Sequence, residues 1–146
     1  MTPEWMFTVA NFTAIAGWAV LAAGVIFNNA MLRDLIAGRI VPAILASAYT
    51  VLIVVFWAGA QGGFGSLADV ASLFANPWLL LAGWIHYLAF DLAIGAVIAR
   101  KTFDESLPRL LLVPILPLTF LFGPIGWLAF EAVRLIVPKL RPKAST

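Results

Sequence analysis

Residues 78–99 read WLLLAGWIHYLAFDLAIGAVIA, and the interpretation of the whole chain starts from this apolar stretch. A helix of about 20 apolar residues crosses the roughly 30 Å of hydrocarbon in a lipid bilayer, so the stretch predicts a transmembrane helix. It also contains Asp91 and His86, the only histidine in the chain. An ionised carboxylate in the middle of a membrane costs about 3 kcal/mol even on lenient scales. These two side chains are therefore the first candidates for a function.

Three further stretches of similar length and composition lie at residues 6–27, 40–60 and 110–133. The chain of 146 residues is 63% hydrophobic and 11% charged, and its mean hydropathy is +1.01, which is too apolar for a soluble globular protein. No basic segment precedes the first stretch, so we interpret it as a retained span and not as a signal peptide. The sequence therefore predicts an all-α fold, an integral membrane bundle of four transmembrane helices that forms a single domain over residues 1–146.

The connection between the second and third spans, GGFGSLADVASLFANP at residues 62–77, has a helical pattern after its glycines. Leu67, Val70, Ala71 and Phe74 recur at helical spacing, as in a short amphipathic helix that lies in the membrane interface. We predict a short interfacial helix here, with a plain loop as the alternative.

Basic residues are distributed unevenly among the connections. The first connection carries Arg33 and Arg39, the second carries no lysine or arginine, and the third carries Arg100, Lys101 and Arg109. Because cytoplasmic loops are enriched in lysine and arginine, this pattern places the first and third connections in the cytoplasm and the amino terminus outside. Four spans would return the carboxyl terminus to the outer side, which conflicts with the basic residues that cluster there: Arg134, Lys139, Arg141 and Lys143.

The last predicted span is rich in residues that interrupt helices. It contains Pro114, Pro117 and Pro124, with Gly123 and Gly126 near the third proline. Each proline lacks a backbone N–H and leaves the carbonyl four residues earlier without its usual donor, which lipid cannot replace. We therefore expect this helix to be kinked, to pack against its neighbours or to open onto a polar cavity.

Composition excludes several classes of function. A net charge of +2 with no polar domain outside the membrane gives no basic surface for nucleic acid. The absence of cysteine excludes disulfides and thiolate ligands, and a single histidine is too few for a membrane di-iron centre. No serine lies in a Gly-x-Ser-x-Gly elbow. We predict neither a metal nor a cofactor.

The polar groups of the third span are related by helical geometry. Tyr87 and Asp91 are four residues apart and lie on one face, where the hydroxyl and the carboxyl can meet. His86 and Asp91 are five residues apart and point about 140° away from each other, so they cannot pair directly on their own helix. They border one cavity only if the other spans enclose this helix. The two groups act either as a proton donor and acceptor set or as hydrogen-bonded packing groups.

Other side chains within the spans are candidates for the wall of a ligand site. Asn11 in the first span and Tyr49 in the second are polar candidates for the interior of the bundle. Near the end of the last span, Glu131 and Arg134 are spaced for an interfacial ion pair. Aromatic rings deeper in the spans either line a slot for a long, flat apolar ligand or pack against lipid and neighbouring helices: Trp84, Phe90, Phe120, Phe122 and Trp127.

Two segments together are specific, WIHYLAFDLAIG at residues 84–95 and PLTFLFGPIGWL at residues 117–128, with a short basic loop between them. In a four-span chain of this length they resemble the abscisic-acid-deficient-four-like membrane proteins, whose plant members are neoxanthin synthases. The resemblance covers residues 78–134. It implies a carotenoid isomerase that opens an epoxide of violaxanthin and forms an allene, with one proton delivered to the epoxide oxygen, another removed from the polyene, and no redox cofactor.

The resemblance also implies roles for residues. Asp91 with Tyr87 supplies or relays the acid and His86 is the base, and the roles of His86 and Asp91 can be exchanged. Plant members often have cysteine where this chain has Gly123, so the resemblance does not fix the identity of the substrate. The kinked segment of Phe122, Gly123, Pro124 and Gly126 shapes the slot for the end ring. The predicted substrate-binding residues are Trp84, Phe90, Phe120, Phe122, Gly123, Pro124, Trp127 and Asn11.

A non-catalytic carotenoid-binding or pigment-assembly protein is the alternative function. A small transporter or proton-relay subunit is a third, which ranks last because Asp91 alone lies deep in the membrane. The expected partners are a carotenoid or related isoprenoid substrate and the lipid bilayer. Assembly into a homo-oligomer or a pigment–protein complex is left as an alternative. The expected location is the bacterial cytoplasmic membrane or a photosynthetic membrane.

Overall fold

The computed structural model describes residues 2–137, and these residues form helices and no strand, which confirms the predicted all-α fold. A short helix follows the Ser66 hydroxyl, which accepts a hydrogen bond from the Asp69 amide at 3.1 Å, and this confirms a helix between the second and third spans. The helices are α1 (Pro3–Ile26), α2 (Met31–Phe56), α3 (Leu67–Phe74), α4 (Pro77–Asp104), α5 (Leu112–Phe122) and α6 (Pro124–Ile136).

Three of these helices, α1, α2 and α4, are long and apolar enough to cross a bilayer, which makes this a membrane protein. They contain most of the spans predicted at 6–27, 40–60 and 78–99, although α2 starts earlier, with wide π-type turns over Met31–Ile40. Helix α4 is central because it packs against every other helix. Two glycines bring α1 close to it: a side chain at Gly17 would collide with Leu92 of α4, and one at Gly95 would collide with Trp18 of α1.

The first and third connections meet at one end of the bundle. Arg33 is buried there and pairs with Asp34 at 2.7 Å. Its guanidinium lies 4.1 Å from the centroid of the Phe103 ring, and the Arg109 guanidinium lies 4.5 Å from the same centroid. The two connections therefore share one side of the molecule, as the charge pattern predicts. We call the region around Arg33, Phe103 and Arg109 the basic end.

The structure does not show the fourth span predicted at residues 110–133. Helix α5 has 11 residues and α6 has 13, which at 1.5 Å per residue gives about 17 Å and about 20 Å, too short to cross a bilayer. The chain reverses at Gly123, whose φ of +23° suits few residues with a side chain, and Pro124 cannot supply the N–H that would continue α5. Helix α6 then folds onto α5, because a side chain at Gly126 would collide with Thr119.

Helix α6 returns to the end of the bundle from which α5 starts. The Lys101 ammonium lies 3.2 Å from the Glu131 carboxylate. The Arg134 guanidinium pairs with Glu105 at 2.5 Å and with Glu131 at 2.8 Å, which confirms the predicted ion pair. Lys101 and Glu105 flank Phe103 in the sequence, so both ends of the α5–α6 hairpin lie at the basic end.

This return removes the conflict between the charges of the loops and the charge of the tail. Arg134 lies on the same side as the basic connections, so the described part of the chain follows the positive-inside pattern throughout. The other basic residues of the tail, Lys139, Arg141 and Lys143, lie outside the described residues.

Candidate active site at the hairpin tip

The tip of the α5–α6 hairpin lies against the middle of α4. A Cβ atom added at Gly123 would collide with Oδ1 of Asp91 and would lie 3.1 Å from Oδ2. The carboxyl group therefore occupies the space that a side chain at the tip would need. Because Asp91 lies close to the midpoint of Pro77–Asp104, the tip reaches the central depth of a membrane-spanning helix.

The Asp91 carboxyl is enclosed and incompletely hydrogen-bonded. The residue is 5% exposed, and its Oδ2 atom has no hydrogen-bond partner within residues 2–137. A buried polar atom without a partner costs about 1–3 kcal/mol. Helix α6 begins at Pro124, and Gly123 before it supplies no side-chain cap. A bound proton or a hydroxyl of a ligand would supply a hydrogen-bonding partner at this carboxyl.

Tyr87 connects the break in the hairpin to α4. Its hydroxyl donates to the Leu121 carbonyl at 3.0 Å and lies 3.4 Å from the Phe120 carbonyl. The Phe120 carbonyl is the one that Pro124 deprives of its normal helical donor, so Tyr87 supplies a hydrogen bond where the lipid cannot. The hydroxyl also lies close enough to the Asp91 carboxyl to interact with it electrostatically. The predicted neighbourhood of Tyr87 and Asp91 is therefore present, and its main hydrogen bond goes to the hairpin backbone.

Trp84 brings Asn11 of α1 to the same face of α4. The Trp84 indole N–H donates to the Asn11 side-chain oxygen at 2.9 Å. The Trp84 ring lies 5.3 Å from the Tyr87 ring and 5.7 Å from the Phe7 ring, measured between centroids. At about 100° per residue, Trp84, Tyr87 and Asp91 lie within about 60° on α4. This face of α4 therefore collects most of the polar groups predicted for the site.

Two apolar pockets continue this face along α1. One, of about 420 Å³, lies between the start of α1 and the start of α4 and includes Phe7 and Trp84. The other, of about 360 Å³, lies between the second half of α1 and α5 and includes Trp18 and Phe120, whose rings meet edge to face at 5.4 Å. Asn11 lies between the two pockets along the same face of α1. Asp91 lines neither pocket.

His86 lies on the opposite side of α4. Its ring contacts Phe90 at 4.6 Å and Tyr49 of α2 at 5.6 Å, measured between centroids. It lines a separate cavity of about 490 Å³ under α3. The cavity that His86 lines does not include Asp91, and the two side chains point about 140° apart on α4, so the structure does not bring these two predicted groups together.

A comparison with protein-family models matches residues 5–130 to the ABA4-like family, described as ABA DEFICIENT 4-like. The chain belongs to the ABA4-like family. The predicted family resemblance is thereby confirmed, over residues 78–130 of the predicted 78–134, and the match extends through the first two helices to include Asn11. Comparisons with curated proteins and with solved structures gave no match.

Of the remaining predicted residues of this ABA4-like protein, Phe90 and Trp127 lie away from the hairpin tip, and Phe122 lies at it. Phe90 accompanies His86 on the far face of α4, and Phe122 is 54% exposed at the hairpin tip. Trp127 points toward the basic end, where the Lys101 ammonium lies 4.8 Å from its ring centroid. No cluster of three potential metal ligands occurs within residues 2–137. The sequence interpretation missed Trp18, although its position seven residues after Asn11 places it on the same face of α1.

Proposed function

We propose that this ABA4-like protein is a membrane-embedded enzyme that isomerises a carotenoid epoxide end group by acid/base chemistry without a redox cofactor. The observation that carries the proposal is the Asp91 carboxyl at the hairpin tip, enclosed at the centre of α4 with one oxygen that has no partner within residues 2–137. An intramembrane carboxyl facing the interior of a bundle is a functional-site hypothesis by default. Family membership supports carotenoid metabolism as its setting.

The proposed reaction needs one proton donated and one removed. Protonated Asp91 delivers its proton to the epoxide oxygen while the bond from that oxygen to the ring carbon next to the polyene breaks. The carboxylate then takes a proton from the adjacent polyene carbon, and the electrons of that C–H bond form the new double bond of the allene. Atoms and electrons balance because substrate and product are isomers. Tyr87 orients the carboxyl and holds the hairpin tip in place.

The two apolar pockets along α1 suggest how the substrate is held. The polyene would lie along the face of α1 between Phe7 and Trp18, with Trp84 and Asn11 beside its centre. The ring would displace lipid at the hairpin tip, beside the exposed side chain of Phe122. His86 becomes the base only if a ligand reaches both faces of α4. The proposed partners are a carotenoid or related isoprenoid and the lipids of a bacterial cytoplasmic or photosynthetic membrane.

A second candidate function is carotenoid binding without chemistry. It is favoured by the position of Asp91 outside both apolar pockets, because a carboxyl that never meets the ligand serves packing alone. In that case pigment would co-purify with the protein unmodified, and substitution at Asp91 would change only the amount of folded protein.

Co-expression in a violaxanthin-producing host distinguishes the two functions. Chromatography of the pigments should show a new isomer with the wild type, and Asp91→Asn should lower its formation about 100-fold or more, as for a lost general acid. Asp104→Asn is the matched control, since Asp104 is exposed at the end of the same helix. Unchanged pigments with the wild type, in this host and in hosts that make other carotenoid epoxides, would contradict the enzymatic proposal.

A further inference from the structure

A second cavity lies on the face of α4 opposite to Asp91. It has a volume of about 490 Å³ and is lined by residues of α2, α3, α4 and the loop before α3. Rings form most of its wall, and the residues that decide its chemistry are Tyr49, Trp57, Phe64, Phe74 and His86. No charged side chain lines it. The cavity therefore suits an uncharged ligand with a flat apolar body.

Two polar groups face this cavity without a protein partner. The rings of His86 and Tyr49 lie 5.6 Å apart between centroids. Neither the imidazole nor the phenol hydroxyl has a hydrogen-bond partner within residues 2–137. At membrane depth, lipid chains cannot hydrogen-bond to such groups, so a ligand oxygen between them would satisfy both. An imidazole N–H and a phenol O–H both donate to a hydroxyl or carbonyl oxygen.

The shape of the cavity indicates how a ligand enters. Trp57 and Phe64 meet at 5.4 Å between centroids near the loop before α3. Phe74 of α3 covers Gly83, where an added Cβ would lie 3.1 Å from its ring. His86 lies nine residues after the start of α4 at Pro77, or about 14 Å deeper along the helix. The aromatic residues thus surround a slot that leads from the helix end under α3 toward the two polar groups.

We propose that this cavity binds the ring end of a neutral, long apolar molecule that carries a hydroxyl or carbonyl oxygen on the ring, held by hydrogen bonds from His86 and Tyr49. The site is separate from Asp91 and does not depend on the isomerisation proposed there. The apolar remainder of the ligand stays in the lipid beside α2 and α4.

Zeaxanthin and β-carotene are a matched pair of probes, because they have the same polyene and differ in the hydroxyl on each ring. The purified chain in lipid nanodiscs is incubated with an equimolar mixture, and the bound ratio is measured by chromatography against empty nanodiscs. Wild type should enrich zeaxanthin about 3- to 10-fold, as one or two net hydrogen bonds predict. A ratio equal to that of empty nanodiscs would overturn the proposal without reference to any variant.

Substitutions in the cavity test whether the enrichment of zeaxanthin arises from His86 and Tyr49. Tyr49→Phe and His86→Phe keep a ring in place and remove the donor, so each should reduce the enrichment severalfold while β-carotene binding stays unchanged. Thr50→Val is the control, because the Thr50 hydroxyl already donates to the Ala46 carbonyl of its own helix at 2.8 Å. Asp91→Asn should keep the full enrichment, because Asp91 does not line this cavity. Loss of the enrichment in Asp91→Asn, or its persistence in both ring variants, would place the ligand elsewhere and overturn the proposal.

Discussion

The carboxyl of Asp91 fills the space in which a side chain at Gly123 would lie, so the contact between the two residues requires glycine at position 123. The contact joins the tip of the α5–α6 hairpin to the centre of α4. It places a chain reversal, the amino end of α6 and a carboxyl at one point within the membrane-spanning part of the molecule. The stability of the hairpin and the chemistry proposed for Asp91 therefore depend on the same contact.

Gly123→Ala tests this contact. The new methyl group would meet the Asp91 carboxyl and would occupy a φ of +23°, so we expect a loss of about 1–3 kcal/mol in the free energy of unfolding. The measurement is denaturant unfolding of the purified protein in detergent. Gly63→Ala is the control, because a Cβ at Gly63 has no neighbour within 4 Å among the described residues. Equal stability of the two variants would show that the tip does not pack on Asp91.

Tyr87→Phe should destabilise the hairpin without changing the shape of the core. The substitution removes the donor that the Leu121 carbonyl accepts at 3.0 Å and leaves that carbonyl unsatisfied, at a cost of about 1 kcal/mol. The matched variant is Tyr49→Phe, whose hydroxyl has no hydrogen-bond partner within residues 2–137. Unfolding measured for both should show a loss in the first alone. A loss of the same size in both variants would mean that the hydrogen bond is not its cause.

The spans could be predicted because apolar length is a direct signal of a membrane helix. The ends of the helices could not, since Arg33 is kept inside the fold by Asp34 and by the Phe103 ring, both of them contacts that hydropathy does not record. The reversal at Gly123 had a local signal in the following proline. The direction of α6 after it depends on ion pairs with Lys101 and Glu105, which are contacts between residues distant in sequence.

The candidate site was predictable to the extent that helical spacing defines it. Spacing of residues on α4 correctly separated His86 from Asp91 and placed Tyr87 beside Asp91. It gave no information about the Leu121 carbonyl, because a backbone acceptor on another helix has no sequence signal. The sequence also did not predict that the Trp84 indole N–H donates to a residue of α1, although Asn11 was recognisable as a polar residue within a span.

The hydrogen bond between Trp84 and Asn11 is testable by a double-mutant cycle. Trp84→Phe removes the donor and Asn11→Leu removes the acceptor of a bond of 2.9 Å. The two effects on the free energy of unfolding should be non-additive by about 0.6 kcal/mol, the typical strength of such bonds between membrane helices. The cycle is informative even if Asn11→Leu is stabilising by itself, since it isolates the coupling. As a control, Trp84→Phe combined with Thr13→Val should be additive, because the Thr13 hydroxyl donates to the Val9 carbonyl of its own helix.

The return of α6 to the basic end predicts which parts of the chain share a side of the membrane. The chain has no cysteine, so single cysteines can be introduced without removing any native thiol. Asp104→Cys lies at the end of α4, Leu135→Cys lies near the end of α6 and Leu67→Cys lies at the start of α3, and all three positions are exposed. The reagent is a membrane-impermeant maleimide, applied to intact cells or spheroplasts and to inverted vesicles.

We expect Asp104→Cys and Leu135→Cys to react from the same side, and Leu67→Cys to react from the other. The concentration of arginine and lysine at the basic end predicts that the shared side is the cytoplasm, so these two cysteines should react in inverted vesicles only. Labelling of Asp104→Cys and Leu135→Cys from opposite sides would mean that residues 110–133 cross the membrane after all. In that case Gly123 would be a kink within a span, and Asp91 would face a continuous helix and not the amino end of α6.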